Sequence, residues 1–203
     1  MHTAYLGLGS NIDAEKNIVS AVSGLRQAFG EIGLSPFYLC TPFGFEGDDF
    51  INGVARVDTQ WAPLELKSWL TALEDRHDRE REGPRYSSRT LDVDILLYDD
   101  LYLLSPELEI PREEILEGAY VLRPLADLAP ELVHPCARRK MHELWESFEG
   151  ETSGVRRIDL RPASIFGAGF HGQGNSFSGD VNFQHGDLHL LIDGDTFMRI
   201  GHI

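Results

Sequence analysis

R-E-R-E-G-P-R-Y-S-S-R-T-L-D-V-D-I, residues Arg79 to Ile95, is the stretch on which the reading of the whole chain turns. It places Arg79, Arg81, Arg85 and Arg89 in one short loop and then enters a strand carrying Asp92 and Asp94. Residues i and i+2 of a strand share a face, so the two carboxylates project together while Leu91, Val93 and Ile95 turn to the opposite side. Guanidinium forks grip phosphate oxygens, and neighbouring carboxylates hold magnesium against phosphates. The pattern predicts a site for a magnesium-bound polyphosphate. The competing reading is a solvated salt-bridge loop beside an edge strand.

The rest of the composition sharpens that contrast. The chain has 203 residues, 42% of them hydrophobic and 25% charged, with a net charge of -15. That length supports a sizeable core, and one domain with an appendage is expected. Strong acidity argues against general nucleic-acid binding and against docking on anionic membranes, both of which need a basic surface. An anionic substrate must therefore be met by local cations, and the arginine loop supplies them. M-H-T-A-Y-L-G-L-G-S-N lacks the basic start and long apolar stretch of a signal peptide, and no apolar run approaches a membrane span. Cys40 and Cys136 are isolated thiols without a CxxC spacing, which predicts neither a disulfide nor a zinc site. The expected compartment is the cytoplasm, and the expected state is a monomer or weak dimer.

Outward from the arginine loop, alternation predicts strands over 3–9, 34–41, 50–58, 91–98 and 101–104. Ile18, Val22, Leu25 and Phe29 recur at helical spacing after a start near Asp13; Leu66, Leu70 and Leu73 do the same after Pro63, a residue suited to a first helical turn. One or two short helices are expected between Pro111 and Leu128, with Glu113, Glu114 and Glu117 solvated, and a last helix over Arg138 to Phe148. The irregular alternation favours a compact α+β sandwich over a doubly wound parallel sheet. The composition shifts near Gly150, so the expected division is a domain over 1–154 and a β-rich extension over 155–203. Within the extension, 180–184, 188–193 and 196–200 alternate between His-Gly-Asp and Asp-Gly-Asp turn signals, which predicts a small β-meander.

Five landmarks then stand in order: G-L-G-S-N near the start, F-Y-L-C-T-P at 37–42, F-I-N-G at 50–53, R-T-L-D-V-D-I-L-L-Y at 89–98, and L-R-P-L-A-D-L-A-P-E-L-V-H-P at 122–135. Together they resemble the hydroxymethyldihydropterin pyrophosphokinase family of folate biosynthesis, over roughly residues 3–136. The resemblance implies a ferredoxin-like α+β sandwich with a mainly antiparallel sheet. It also implies transfer of pyrophosphate from ATP to the hydroxymethyl group of 6-hydroxymethyl-7,8-dihydropterin, with release of AMP. Carried over residue by residue, Asp92 and Asp94 match the family's magnesium ligands, with two ions expected. Arg79, Arg81 and Arg89 match loop arginines that approach ATP, and Glu74 matches a helix residue near the nucleotide. Arg85 and Arg112 are further candidates for nucleotide contact. Thr41, Pro42 and Asn52 fall where the family binds the pterin, and Phe50 and Tyr120 where aromatic rings line that pocket.

Three departures accompany the match. Tyr86-Ser87-Ser88-Arg89 stands where the family usually has Trp-Gly-Pro-Arg. Arg112-Glu113-Glu114 replaces a His-Pro-Arg element, and Gly118 replaces an arginine. Two readings follow: an active pyrophosphokinase, or a divergent paralogue that binds pterin or nucleotide in a regulatory role.

Overall fold

A computed structural model describes residues 1–42, 45–79 and 87–160. The elements run β1 (His2–Ser10), α1 (Ala14–Phe29), β2 (Gly33–Leu34), β3 (Phe37–Cys40), β4 (Phe50–Thr59), α2 (Pro63–Asp75), β5 (Asp92–Tyr98), β6 (Leu103–Leu104), β7 (Glu109–Ile110), α3 (Glu114–Glu117), α4 (Ala119–Leu128), α5 (Met141–Glu146) and β8 (Val155–Ile158). The main sheet has the order β5-β1-β4-β3-β8, with β2 also on β4, and every pairing in it is antiparallel. Strands β1, β3, β4 and β5 with α1 and α2 give the ferredoxin-like sandwich expected from the sequence.

Alternation assigns each face of the sheet its own core. Ala4, Leu6 and Leu8 of β1 join Leu91, Val93 and Ile95 beneath α1 and α2, which contribute Ile18, Val22, Leu25, Leu66, Leu70 and Leu73. On the other face, Val54, Leu96 and Leu97 meet Val121, Leu122 and Leu125 of α4 and Met141 and Leu144 of α5. Complete burial of one such side chain is worth about 1.5–3 kcal/mol, so these two stripes dominate the stability of the domain. The second core occupies only part of its face. Towards the ends of β1, β4 and β5 that surface carries Gly7, Gly9, Asn52, Asp92 and Asp94 instead.

The β1–β5 register shifts between Tyr5 and Leu6: Leu6 faces Ile95, whereas Tyr5 faces Leu97. Leu96 is the extra residue. It lets Asp92 and Asp94 share a face with Leu96 and Leu97 while Tyr98 returns to the α1–α2 core.

Several boundaries differ from the sequence expectation, each for a local reason. The strand predicted over 34–41 is split at Ser35-Pro36, because Pro36 has no N–H and Ser35 takes over the bonding to β4. The Ser35 N–H donates to Val54 O at 2.9 Å, and Val54 N–H donates to Ser35 Oγ at 2.9 Å. The short strand predicted at 101–104 narrows to β6 and pairs with β7 in a separate hairpin. The last helix begins at Met141 rather than Arg138, which has φ 55° in a turn closed by Arg138 N–H to His134 O at 2.9 Å. Asp13 precedes α1 in a left-handed conformation without a side-chain cap bond; Asn17 Nδ2 donates to Ile12 O at 2.8 Å instead. α2 has Pro63 in its first turn, and Glu65 receives the Ala62 N–H at 2.7 Å.

Residue 154, where the sequence suggests a division, directly precedes β8. Val155–Ile158 pairs with β3, Cys40 facing Val155 and Phe37 facing Ile158, and so belongs to the main sheet. The described residues all fall within one compact unit, Met1–Ala168. The predicted meander lies outside the described residues. Among the described residues no helix is long and apolar enough to cross a membrane.

Candidate active site

The register of three strands builds the centre of the site. Gly9 faces Asn52 on one side and Asp92 on the other, and Gly7 likewise faces Val54 and Asp94. Opposed residues of antiparallel strands point to the same face, so Asn52, Asp92 and Asp94 rise from one surface with only glycines between them. At Gly9 a side chain would press on Asn52. A Cβ at Gly9 would lie 3.1 Å from Asn52 Oδ1 and 3.8 Å from Asp92 Cβ.

Asp92 is bonded by Arg79 and Arg89, one guanidinium on each carboxylate oxygen. Arg79 also pairs with Glu74, which is buried at 6% exposure and accepts Val93 N–H at 2.8 Å. Glu74 thus ties α2 to β5 and orients Arg79 at the same time. Asp94 lies 3.6 Å from Arg112, which also bonds Glu114 at 3.0 Å. Glu114 is therefore half-buried and paired, a correction to its expected solvation, whereas Glu113 and Glu117 are exposed. Burial, followed by the charge of Asp92, raises the Asp94 carboxyl above its ordinary pKa, against the opposing pull of Arg112 and Arg79.

Along the edge of β5 a cavity of about 370 Å³ opens, lined by Lys67, Thr71, Glu74, Arg79, Asp94 and Arg112 among others. Cationic side chains thus converge with the carboxylates on a recess large enough for a small organic anion. Among the described residues no group of three or more His, Cys, Asp and Glu is placed to hold a metal unaided. Two carboxylates on one face instead suit a hard cation that completes its shell with phosphate oxygens and water.

The rest of the predicted set divides into four. Phe50, half-buried, meets Phe45 edge-on at 6.2 Å, and Asn52 is buried beside it on the same face. Thr41 and Pro42 leave the end of β3, Thr41 exposed and Pro42 half-buried. Tyr120 stands in the first turn of α4 at 38% exposure. Arg81 and Arg85 lie outside the described residues.

Sequence reasoning undervalued the Gly-Ser-Asn turn. Asn11 Oδ1 accepts Arg89 N–H at 2.6 Å, while its Nδ2 donates to Ser88 Oγ and to Asp48 O, both at 3.1 Å. Ser10 Oγ donates to Thr90 O at 2.5 Å. The turn fixes the backbone leading into Asp92 and so positions Arg89. The available signal was G-L-G-S-N itself, polar side chains at the end of an otherwise apolar strand. A second network, also missed, joins Tyr38 to Asp127 and Arg123; Arg123 Nε donates to Tyr38 Oη at 3.1 Å and lies 5.1 Å above the Trp145 ring. It secures α4 and α5 to β3 next to Asn52, the β4 partner of Tyr38.

A family model described as 7,8-dihydro-6-hydroxymethylpterin-pyrophosphokinase (HPPK) matches residues 5–130. The 2-amino-4-hydroxy-6-hydroxymethyldihydropteridine pyrophosphokinase of Pseudomonas aeruginosa is 39% identical over 138 residues, 66% of this chain and 85% of that protein. The Haemophilus influenzae protein of the same name is 34% identical over 139 residues, 66% of this chain and 86% of its own. A crystal structure of Plasmodium falciparum HPPK-DHPS shares the fold with a TM-score of 0.57 at 16% identity; the match covers 72% of this chain but only 41% of that longer one. With a family model matched over residues 5–130 and bacterial relatives at 39% and 34% identity, the chain belongs to the 7,8-dihydro-6-hydroxymethylpterin-pyrophosphokinase family.

Proposed function

We propose that this chain transfers pyrophosphate from ATP to the hydroxymethyl group of 6-hydroxymethyl-7,8-dihydropterin, a step of folate biosynthesis. The observation that carries the reading is the row Asn52–Gly9–Asp92, in which a polar, aromatic-bordered patch adjoins a carboxylate held by two arginines. Asn52 and the backbone near Thr41 and Pro42 bond the polar edge of the flat pterin, and Phe50 and Tyr120 cover its faces. Arg79, Arg81, Arg85, Arg89 and Arg112 neutralise the phosphates, and Glu74 keeps Arg79 aimed at them. The substrate oxygen bonds to the β-phosphorus, the bond from that phosphorus to the α,β-bridging oxygen breaks, AMP departs, and the hydroxyl proton is lost to solvent.

Asp92 and Asp94 would hold two magnesium ions; Asp94 is raised first by burial and then by the charge of Asp92, and a cation would offset the second of these. When bound, magnesium neutralises the polyphosphate and helps to align it. The protein's part is placement: an in-line encounter depends on reactants held in register, and the β-ladder supplies that rigidity. We assign the activity to a cytoplasmic monomer or weak dimer acting on small molecules.

Incubation of the full chain with hydroxymethyldihydropterin, ATP and magnesium is expected to yield AMP in step with pterin diphosphate. Binding of both substrates without AMP formation would refute the reading and favour the regulatory paralogue, towards which Gly118 and Glu114 point by supplying no cation.

A further inference from the structure

The chain beyond the family match does not simply leave the domain. Residues 155–158 return as β8 and pair with β3 along its whole length, giving that four-residue strand a neighbour on both sides. Immediately before β8, Gly154 O receives the Thr41 N–H at 3.2 Å. Thr41 is the first residue of the lip that follows Cys40. Cys40 faces Phe50 on β4 and Val155 on β8, so the lip, the aromatic wall and β8 stand in one row.

The approach at Gly154 is tight. A Cβ on residue 154 would lie 3.0 Å from Thr41 Oγ1 and 3.2 Å from Thr41 Cβ, closer than ordinary van der Waals contact. A side chain there is accommodated when Thr41 or the start of β8 gives by a few tenths of an ångström. Exposed loops usually tolerate displacement, but this one is anchored by a hydrogen bond and by a strand ladder immediately on each side of it.

We propose that Gly154 and β8 are positioning elements for the pterin lip, so that residues beyond the family match set pterin affinity through Thr41. This rests on the reading of Thr41 and Pro42 as pterin contacts. Gly154 touches no reacting atom; it acts through the backbone of Thr41.

The test uses the full chain and its Gly154→Val variant. Pterin affinity is measured by calorimetry and ATP affinity separately with a non-hydrolysable analogue, and unfolding curves establish that the variant is folded. The expected result is a pterin Kd at least about tenfold weaker, with the analogue Kd changed less than about twofold. Equal weakening of both ligands, or no change in either, overturns the proposal. Should Gly154→Val not fold, hydrogen exchange on the natural chain decides. The Thr41 amide and the amides of 155–158 should be protected together, and pterin should slow both further; a Thr41 amide that exchanges freely overturns the proposal. AMP formation is assayed in parallel. Pterin binding without AMP removes the catalytic reading alone, whereas unchanged pterin binding by Gly154→Val with normal AMP formation removes only this one.

Discussion

Gly9 lies directly opposite Asp92 in the β1–β5 ladder, and the space its missing side chain leaves is bounded on the far side by Asn52. Gly9→Val should fill that space, press on Asn52 Oδ1 and misplace pterin relative to the polyphosphate. A fall in kcat/KM of about a hundredfold is expected, the scale associated with roughly 1 Å of misplacement. Steady-state AMP release against pterin concentration checks it, and near-normal kinetics would remove the row from the site.

Asp92→Asn and Asp94→Asn each keep the size of the side chain but lose its charge. Each should lower magnesium-dependent AMP formation by about a hundredfold or more, the scale seen when one preorganised electrostatic group is removed. The Asp92 variant should also free Arg79 and Arg89 from their shared partner. Magnesium titrations of both variants distinguish weakened metal binding from a lost arginine scaffold.

Glu74 combines a structural with a positioning role. Glu74→Ala leaves the Val93 N–H and the Arg79 guanidinium without their buried acceptor, at a cost of about 2–4 kcal/mol. Glu74→Gln keeps an oxygen for Val93 and should cost less. Urea unfolding of the two variants should give that order; equal stabilities would show that the buried contact contributes little.

His134 predicts an acid limb in stability. Its Nδ1 accepts the N–H groups of Cys136 and Ala137 at 3.2 and 3.1 Å, which needs an unprotonated nitrogen, and burial lowers its pKa below 6.5. A histidine depressed in the folded state binds fewer protons there than in the unfolded chain, so stability rises with pH across that interval. The contribution is complete above about 6.5 and declines as pH falls towards the folded pKa. Unfolding free energies of the natural chain and of His134→Asn between about pH 7 and 5 should differ in slope, with the variant flatter. Parallel slopes would exclude His134 as the source.

The two thiols should separate cleanly. Cys40 is buried and its pKa is pushed up to about 11, chiefly by desolvation, while Cys136 is exposed. A thiolate-directed reagent near pH 8 should modify Cys136 in the folded chain and Cys40 only after denaturation. Mass spectrometry of the modified chain reads this directly.

Legibility in the sequence followed the range of each interaction. The strand parity of Leu91, Val93 and Ile95 and the helical stripe of Leu66, Leu70 and Leu73 were readable because burial imposes a local period. The sharing of Asp92 between Arg79 and Arg89 was not, since it depends on how a loop closes over a strand. The β7 strand is too short to carry a period, and β8 owes its place to a partner over a hundred residues earlier in the chain. Asn11 was visible as a residue, but its bonds to Asp48, Ser88 and Arg89 exist only once three separate segments meet.

The extra residue at Leu96 has a broader consequence. A regular β5 would hold its two ends to one alternation, and with Asp92 and Asp94 on the site face Tyr98 would share that face instead of entering the opposite core. The irregularity acts as a phase joint. It separates the parity of the chemical end of the strand from that of the structural end, and allows evolution to retune the first without repacking the second.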